Sequence, residues 1–204
     1  MSLNLLTVLL IISAASSYEL TSNGLKIYHR VQHQSHLIHY PIRRLRLPVS
    51  NVLISYTGTG PCYDVHECSL RMTGLRRYHT EINNWPSIGY NFLVGSDGNI
   101  YEGCGWDTEV FHASDSPTQY LLIGLIGDRN HVIINGNQLR AVQKLLEWGV
   151  HEGKLSRDYR VDGHRQKTEM MNPHDGMYKN VDMIPHWHGQ LFTRTFYLLT
   201  VAAY

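Results

Sequence analysis

The stretch RYHTEINNWPSIGYNFLVGSDGNIYEGCGW, residues 77–106, decides the fold of this chain. Residues 88–96 are mostly apolar and predict a β-strand, and residues 99–102 predict a shorter second strand. Between them lie Asp97 and Gly98, a pair that favours a tight turn because glycine accepts backbone angles that other residues avoid. We therefore expect a β-hairpin at this point.

Strands and helices alternate on both sides of this hairpin. Short apolar runs predict further strands at 52–56, 121–126 and 159–162. The helical spacing of apolar residues predicts helices between these strands. This order of elements predicts the α/β class, with a single domain in which a central mixed β-sheet is flanked by helices.

Three helices are predicted from the pattern. The first follows Cys68, and its inner face would be made of Leu70, Leu75, Tyr78 and Ile82. The second would be capped by Asn137 and end at Gly153. A third, shorter helix is expected after Pro173.

Composition and charge narrow the functional class. The chain has 204 residues, of which 43% are hydrophobic and 17% charged, which is the balance of a folded globular protein. Its 18 Lys and Arg residues against 17 Asp and Glu residues leave a net charge of +1. A surface so nearly neutral exerts no long-range attraction on polyanions, and we therefore expect no nucleic-acid partner.

The first 17 residues, MSLNLLTVLLIISAASS, predict a secretory signal peptide. Their apolar run is about 11 residues, shorter than the roughly 20 that a membrane-spanning helix needs, and small residues follow it. An uncleaved signal anchor is the alternative. We expect a secreted, extracellular protein without a membrane span.

An extracellular protein meets oxidising conditions, in which disulfides form. Cys62 and Cys68 lie six residues apart in a turn-rich stretch, and we predict that they pair. Cys104, the third of three cysteines, would then lie outside this disulfide. Its thiol would be buried, reactive or part of an intermolecular bridge.

Several motifs in order now permit a comparison with a family. They are the Cys62–Cys68 loop, residues 77–106, the segment HEGKLSRDYRVDGHR (151–165) and residues 173–178. With these motifs the chain resembles the peptidoglycan recognition proteins (PGRPs), whose fold is shared with bacteriophage-type zinc N-acetylmuramoyl-L-alanine amidases. We accordingly divide the chain into a signal peptide (1–17), a basic amino-terminal segment (18–50), a peptidoglycan recognition (amidase-like) domain (51–188) and a C-terminal tail (189–204).

The resemblance implies where a catalytic zinc would be held. In the zinc amidases two histidines and a cysteine bind the metal, and the matching residues here are Ser55, His164 and Asn172. A serine hydroxyl and an amide oxygen are poor zinc ligands. The hydroxyl-bearing catalytic residue of the family corresponds to Met170, and only Tyr90, which matches the catalytic tyrosine, is kept. We expect no catalytic residues, no metal and no other cofactor, and therefore no enzyme activity.

The resemblance also implies that a ligand-binding groove is kept. Family positions that hydrogen-bond the stem peptide of peptidoglycan match Thr57, His79, Tyr90 and His112, while Tyr56 replaces a family histidine. The complete set of expected ligand-binding residues is Tyr56, Thr57, His79, Asn84, Trp85, Tyr90, Cys104, His112 and His164.

Three of these residues bear on specificity. In the family, a Gly-Trp pair with a later arginine suits diaminopimelate, since the arginine binds its extra carboxylate, whereas Asn-Phe suits lysine. Here the pair is Asn84 and Trp85, one half of each, and Cys104 stands where the arginine would be. We expect weak or absent preference for diaminopimelate.

The function that these residues favour is non-catalytic pattern recognition: a secreted protein that binds the stem peptide or muropeptide of bacterial peptidoglycan in innate immunity. One alternative is a decoy or co-receptor that binds no muropeptide and acts by pairing with another PGRP. The other alternative is a zinc amidase, which the ligand positions disfavour.

Overall fold

The computed structural model of the protein describes residues 18–29, 43–110, 119–127, 134–163 and 183–188. Within these ranges the chain forms seven β-strands, two α-helices and a π-helical turn. The strands are β1 (Tyr18–Leu20), β2 (Lys26–Tyr28), β3 (Val49–Tyr56), β4 (Phe92–Val94), β5 (Ile100–Glu102), β6 (Leu121–Leu125) and β7 (Leu155–Gly163). The helices are α1 (Val65–Arg77), which continues into the π-helical turn Tyr78–Ile82, and α2 (Gly136–His151).

One mixed sheet contains all seven strands, in the order β1-β2-β5-β4-β6-β3-β7. Strands β4, β6, β3 and β7 run parallel, whereas β5 returns antiparallel to β4 as the predicted hairpin. Both faces of the parallel strands are covered, which is why β6 is apolar and buried along its whole length. The predicted α/β architecture, a mixed sheet flanked by helices, is confirmed.

Strands β1 and β2 were not predicted from the sequence. They extend the sheet at one edge, β1 antiparallel to β2 and β2 parallel to β5. The rings of Tyr18, Tyr28 and Tyr101 follow one another across these strands, with centroids 5.4 Å apart in each pair. Cross-strand aromatic contacts stabilise paired strands that are too short to show a clear alternating pattern.

Helix α1 buries a different face from the one predicted. The predicted Cys62–Cys68 disulfide is present, and it turns the side of α1 that carries Cys68 towards the core. Leu75, seven positions on, is buried as predicted, and His79 in the π-helical turn is buried as well. The prediction was wrong for three residues on the opposite side, which are 58%, 55% and 68% exposed: Leu70, Tyr78 and Ile82.

Helix α2 begins two residues earlier than predicted. Its N-cap is Asn135, whose side chain accepts a hydrogen bond from the backbone N–H of Asn137 at 2.7 Å. Gln138 completes a capping box with Asn135. The prediction of Asn137 as the cap was wrong, because that residue already lies inside the helix. Gly153 follows the helix end with a φ of +67°, as a terminating glycine does.

The two faces of the sheet pack against different helices. Side chains alternate between faces along a strand, and in β3 Val52 and Ile54 point into the large core under α2. Leu53 points to the other face, into a cluster that also contacts Tyr90 and Cys104. Tyr90 and Cys104, two of the residues predicted to bind ligand, therefore lie on the face opposite α2. Neither helix in the described part of the chain has the length and apolarity that crossing a membrane requires.

Asn91, just before β4, fastens the loop after β5 to the centre of the sheet. Its side chain is completely buried. The amide nitrogen donates to the backbone oxygens of Gly105 at 2.8 Å and Thr108 at 2.7 Å, and the amide oxygen accepts from the Leu122 N–H at 2.8 Å. One side chain thus satisfies three buried backbone groups.

Replacing this side chain is expected to destabilise the whole domain. In Asn91→Ala the three backbone groups lose their partner, and we expect the free energy of unfolding in urea to fall by about 2–4 kcal/mol. Asn51→Ala is the control, because the partly exposed Asn51 side chain makes no hydrogen bond within the described residues, and its expected change is below about 0.5 kcal/mol. Equal losses in the two variants would contradict this role of Asn91.

Candidate functional site

The candidate site lies where β3 ends, on the face of the sheet opposite α2. Ser55 is the second-to-last residue of β3, and Thr57 follows the strand. His79 comes from the π-helical turn, Tyr90 from the segment before β4, and Cys104 from the segment after β5. The carboxyl ends of parallel strands meet at one edge of a sheet, which is a common place for ligand sites in α/β proteins.

The ring of Tyr90 rests directly on the backbone of β6. Gly124 pairs with Ser55 in the sheet register, and a Cβ on Gly124 would come within 2.8 Å of the Tyr90 ring. Only glycine leaves room for this contact. The Ser55 side chain lies next to the Tyr90 side chain on this face of the sheet. Burial raises the pKa of Tyr90 to about 12, although the polar Ser55 side chain beside it acts in the opposite direction. Tyr90 therefore keeps its proton at neutral pH.

Ser55 does not fit the role of a zinc ligand. Its side chain is buried, and its hydroxyl donates to the backbone oxygen of Tyr56 at 3.2 Å. A neutral hydroxyl held in this way offers little to a metal that prefers imidazole, thiolate or carboxylate. The other two positions, His164 and Asn172, lie outside the described residues, as does Met170.

His79 is held as a neutral imidazole. Its Nδ1 accepts a hydrogen bond from the backbone N–H of Gly89 at 3.1 Å. A backbone N–H can only donate, so the proton of the neutral ring is on Nε2. The side chain is buried, and loss of solvation lowers the pKa of His79. The ring is therefore a donor through Nε2 without carrying a charge.

Trp85 stacks on His79 and forms one side of the site. The two ring centroids are 4.6 Å apart at an interplanar angle of 21°. The chain reverses between them because the Trp85 N–H donates to the His79 oxygen at 2.8 Å, while Asn84 takes a φ of +55°. Tyr90 also contacts His79, with ring centroids 5.9 Å apart at an interplanar angle of 44°. The three rings form an aromatic cluster that the structure assembles from predicted groove residues.

Thr57 and Tyr56 differ in where they point. The Thr57 hydroxyl bonds the Thr59 hydroxyl at 2.9 Å and accepts from the Gly127 N–H at 3.3 Å, so it is fixed at the rim. Tyr56 packs against Gly127 and the core under α2. Its hydroxyl is buried without a hydrogen-bond partner among the described residues, and burial raises the pKa of Tyr56 to about 12. The structure thus separates the Tyr56 ring from the aromatic cluster.

Cys104 lies beside Tyr90 with a well-defined thiol. Its backbone N–H donates to the Tyr90 oxygen at 2.9 Å. Its Sγ donates to the Ile88 oxygen at 3.0 Å and lies 2.9 Å from the Ser87 hydroxyl. The side chain is half-buried, and its place at the border of the site stays a prediction from the resemblance. His112 lies outside the described residues.

Three residues that hold the side chains of the site in place were not predicted from the sequence: Ser87, Gly89 and Gly124. Ser87 contacts the Cys104 thiol, Gly89 fixes the His79 tautomer, and Gly124 supports the Tyr90 ring. One signal for Gly124 was present, since a glycine inside an otherwise apolar strand marks close approach of another group.

Comparison with known proteins identifies the family of this chain. Residues 45–175 match the family model described as N-acetylmuramoyl-L-alanine amidase. Over 146 residues the chain is 35% identical to peptidoglycan recognition protein 1 of Bos indicus, an alignment that covers 71% of this chain and 77% of that protein. The chain belongs to the PGRP family. The resemblance inferred from the motifs is thereby confirmed.

Other PGRP-family matches include ligand complexes and an enzyme. A solved complex of tracheal cytotoxin with the PGRP-LCa and PGRP-LCx ectodomains has a TM-score of 0.67 and 37% identity, covering 72% of this chain and 89% of that chain. PGRP-LE bound to tracheal cytotoxin, a monomeric diaminopimelic acid-type peptidoglycan, has a TM-score of 0.67 and 33% identity, covering 74% and 88%. The N-acetylmuramoyl-L-alanine amidase of Sus scrofa is 33% identical over 154 residues, which are 74% of this chain and 26% of that enzyme.

The neutral state of His79 predicts how acid affects stability. Because the pKa of His79 is lowered in the folded protein, the unfolded chain binds the proton more readily, and acid favours unfolding. The stabilisation is complete above the ordinary histidine pKa of about 6.5 and is lost as the pH falls below it. Between about pH 7.5 and 5.5 the wild type should lose more unfolding free energy than His79→Gln.

The matched control for this measurement is His66→Gln, because His66 is exposed on α1. This variant should keep the pH dependence of the wild type. Parallel curves of unfolding free energy against pH for the wild type and His79→Gln would show that His79 is not held neutral by burial.

Proposed function

We propose that this PGRP-family protein is a secreted, non-catalytic receptor that binds the stem peptide of bacterial peptidoglycan in the groove around Tyr90. The observation that carries the proposal is the buried Ser55 beside the Tyr90 ring, at the position that the resemblance matches to a zinc-binding histidine of the amidases. Family membership and the muropeptide complexes of PGRP-LE and of PGRP-LCa with PGRP-LCx support the choice of ligand.

The side chains of the groove suit hydrogen bonding to a peptide. His79 and Tyr90 are both neutral at pH 7 and can donate hydrogen bonds to the carbonyl and carboxylate oxygens of a stem peptide. Their positions are fixed before ligand arrives, His79 by Gly89 and Tyr90 by Gly124. A preorganised site loses little conformational entropy on binding, which favours affinity.

The proposed absence of catalysis rests on a different residue, Ser55. Hydrolysis by zinc needs a metal-bound water and an open coordination position, and the Ser55 hydroxyl supplies no such ligand. A pig relative is named an amidase, and we attribute the proposed loss of this activity here to Ser55, Met170 and Asn172.

Binding is tested by isothermal titration of the purified protein with a muramyl peptide. The wild type should bind one muramyl peptide, and Tyr90→Phe should bind about three- to tenfold more weakly, because one hydrogen bond to the ligand is lost. Tyr159→Phe is the matched control, since Tyr159 lies on β7 in the core under α2 and should leave the affinity unchanged. No heat of binding for the wild type would overturn the receptor assignment.

The specificity of the groove is tested at position 104. In Cys104→Arg a guanidinium would stand beside Ser87 and Tyr90, where it can bind the extra carboxylate of diaminopimelate. We expect the preference for diaminopimelate-type over lysine-type muropeptide to rise about tenfold to a hundredfold, the value of a charge-assisted hydrogen bond.

Cys104→Gln separates the effect of charge from that of size. Glutamine is long and polar but neutral. The preference of this variant between the two muropeptides should therefore stay close to that of the wild type. A strong diaminopimelate preference in the wild type itself, or an equal gain in both variants, would contradict the role assigned to this position.

A second candidate function is pairing with another PGRP. Three large apolar side chains are exposed on the outer side of α1 and the π-helical turn: Leu70, Tyr78 and Ile82. PGRP-LCa and PGRP-LCx are solved as an ectodomain complex, which supports pairing as a mode of action within the family. Sedimentation with and without reductant and muropeptide separates the candidates. A dimer that does not bind muropeptide supports pairing, and a monomer that binds muropeptide opposes it.

A further inference from the structure

A second recess lies on the α2 side of the sheet, away from the groove. It has a volume of about 310 Å³ and is lined by the β1–β2 turn, the β4–β5 turn and the first turns of α2. The two turns are tight: Gly24 and Gly98 have φ angles of +75° and +81°. A Cβ on Gly98 would lie 3.3 Å from the Cβ of Asn137, so the hairpin turn closes directly onto the helix. The backbones of three elements therefore shape the recess.

Three cationic side chains line this recess. Lys26 comes from β2, and Arg140 and Lys144 lie one turn apart on α2. None of the three forms a salt bridge with a residue that the structure describes. The Arg140 guanidinium donates to the Asn137 side-chain oxygen, and Lys26 Nζ lies 5.6 Å from the centroid of the Tyr18 ring. These contacts position Arg140 and Lys26 without neutralising their charges.

The single carboxylate in the lining, Asp97, is occupied elsewhere. One oxygen accepts from the Asn99 backbone N–H at 3.1 Å, and the other accepts from the Asn99 amide at 2.7 Å and the Tyr101 hydroxyl at 2.6 Å. Asp97 therefore organises the β4–β5 turn instead of pairing with the cations. Three positive side chains and one negative leave the lining with a net charge of two positive.

We propose that this recess binds a phosphate dianion, either free or attached to a small organic group. A phosphate group carries about 1.5 to 2 negative charges near pH 7, which matches the excess charge of the lining. Arg140 offers a planar fork of donors and the two lysines offer compact charges, a combination that suits phosphate oxygens. The volume is at the lower end of the roughly 300–1,000 Å³ of small-molecule sites, enough for phosphate with a glycerol- or sugar-sized group.

The site is tested by recording backbone amide NMR spectra of the whole protein during titration with inorganic phosphate, glycerol 3-phosphate or succinate. Ionic strength is held constant with chloride. The two phosphates should produce saturable shifts confined to the amides of Gly24, Gly98, Asn137 and Arg140. Equal affinity for both would identify a site for free phosphate, and tighter binding of glycerol 3-phosphate would identify a site for an organic phosphate. Either result supports the proposal.

A charge-matched pair of variants separates a site from general attraction. Arg140→Gln with Lys144→Gln should weaken phosphate binding about tenfold or more, because two charged donors are lost. Arg157→Gln with Arg160→Gln removes the same charge from exposed positions on β7 and should change the affinity less than about twofold. Circular dichroism checks that each variant is folded.

Three results would overturn the proposal. They are shifts that do not saturate, equal weakening in the two double variants, and succinate binding as tightly as phosphate. Because the recess shares no residue with the aromatic cluster, these results leave the muropeptide titrations of the groove unaffected.

Discussion

The contact between the Tyr90 ring and the backbone of Gly124 is the constraint on which the site depends. A side chain at 124 would collide with the ring, so this one glycine allows Tyr90 to lie beside Ser55. Ser55 is the residue that the resemblance matches to a zinc ligand of the amidases, and its buried neutral hydroxyl is a poor ligand for that metal. Tyr90 in this position also contacts His79 and Cys104, two further residues of the candidate site.

Charge neutrality gives this groove its chemical character. Tyr90 keeps its proton because burial raises its pKa, and His79 stays neutral because burial lowers its pKa. Both effects disfavour the charged form of a buried group. The result is a set of fixed neutral donors beside a stacked tryptophan, which supports the proposed recognition of peptide oxygens. The cationic recess on the other face is chemically distinct from this site.

Local patterns predicted the parts of the fold that local chemistry determines. The Asp97-Gly98 turn, the buried strand β6 and the glycine after α2 follow from turn residues and apolar runs. The inner face of α1 could not be predicted from periodicity alone, because the disulfide at Cys68 sets its rotation. At the site, motifs predicted Tyr90 and His79. Gly89 and Gly124 act through backbone contacts between distant segments, which no spacing along the chain reveals.

The central claim is that the groove holds muropeptide intact and without zinc, and native mass spectrometry of the protein incubated with a muramyl peptide tests it most directly. One spectrum reports both the metal content and the state of the ligand. We predict a complex whose mass exceeds that of the protein by one uncleaved muramyl peptide, with no additional mass for zinc. A zinc-containing protein accompanied by released stem peptide would contradict the account.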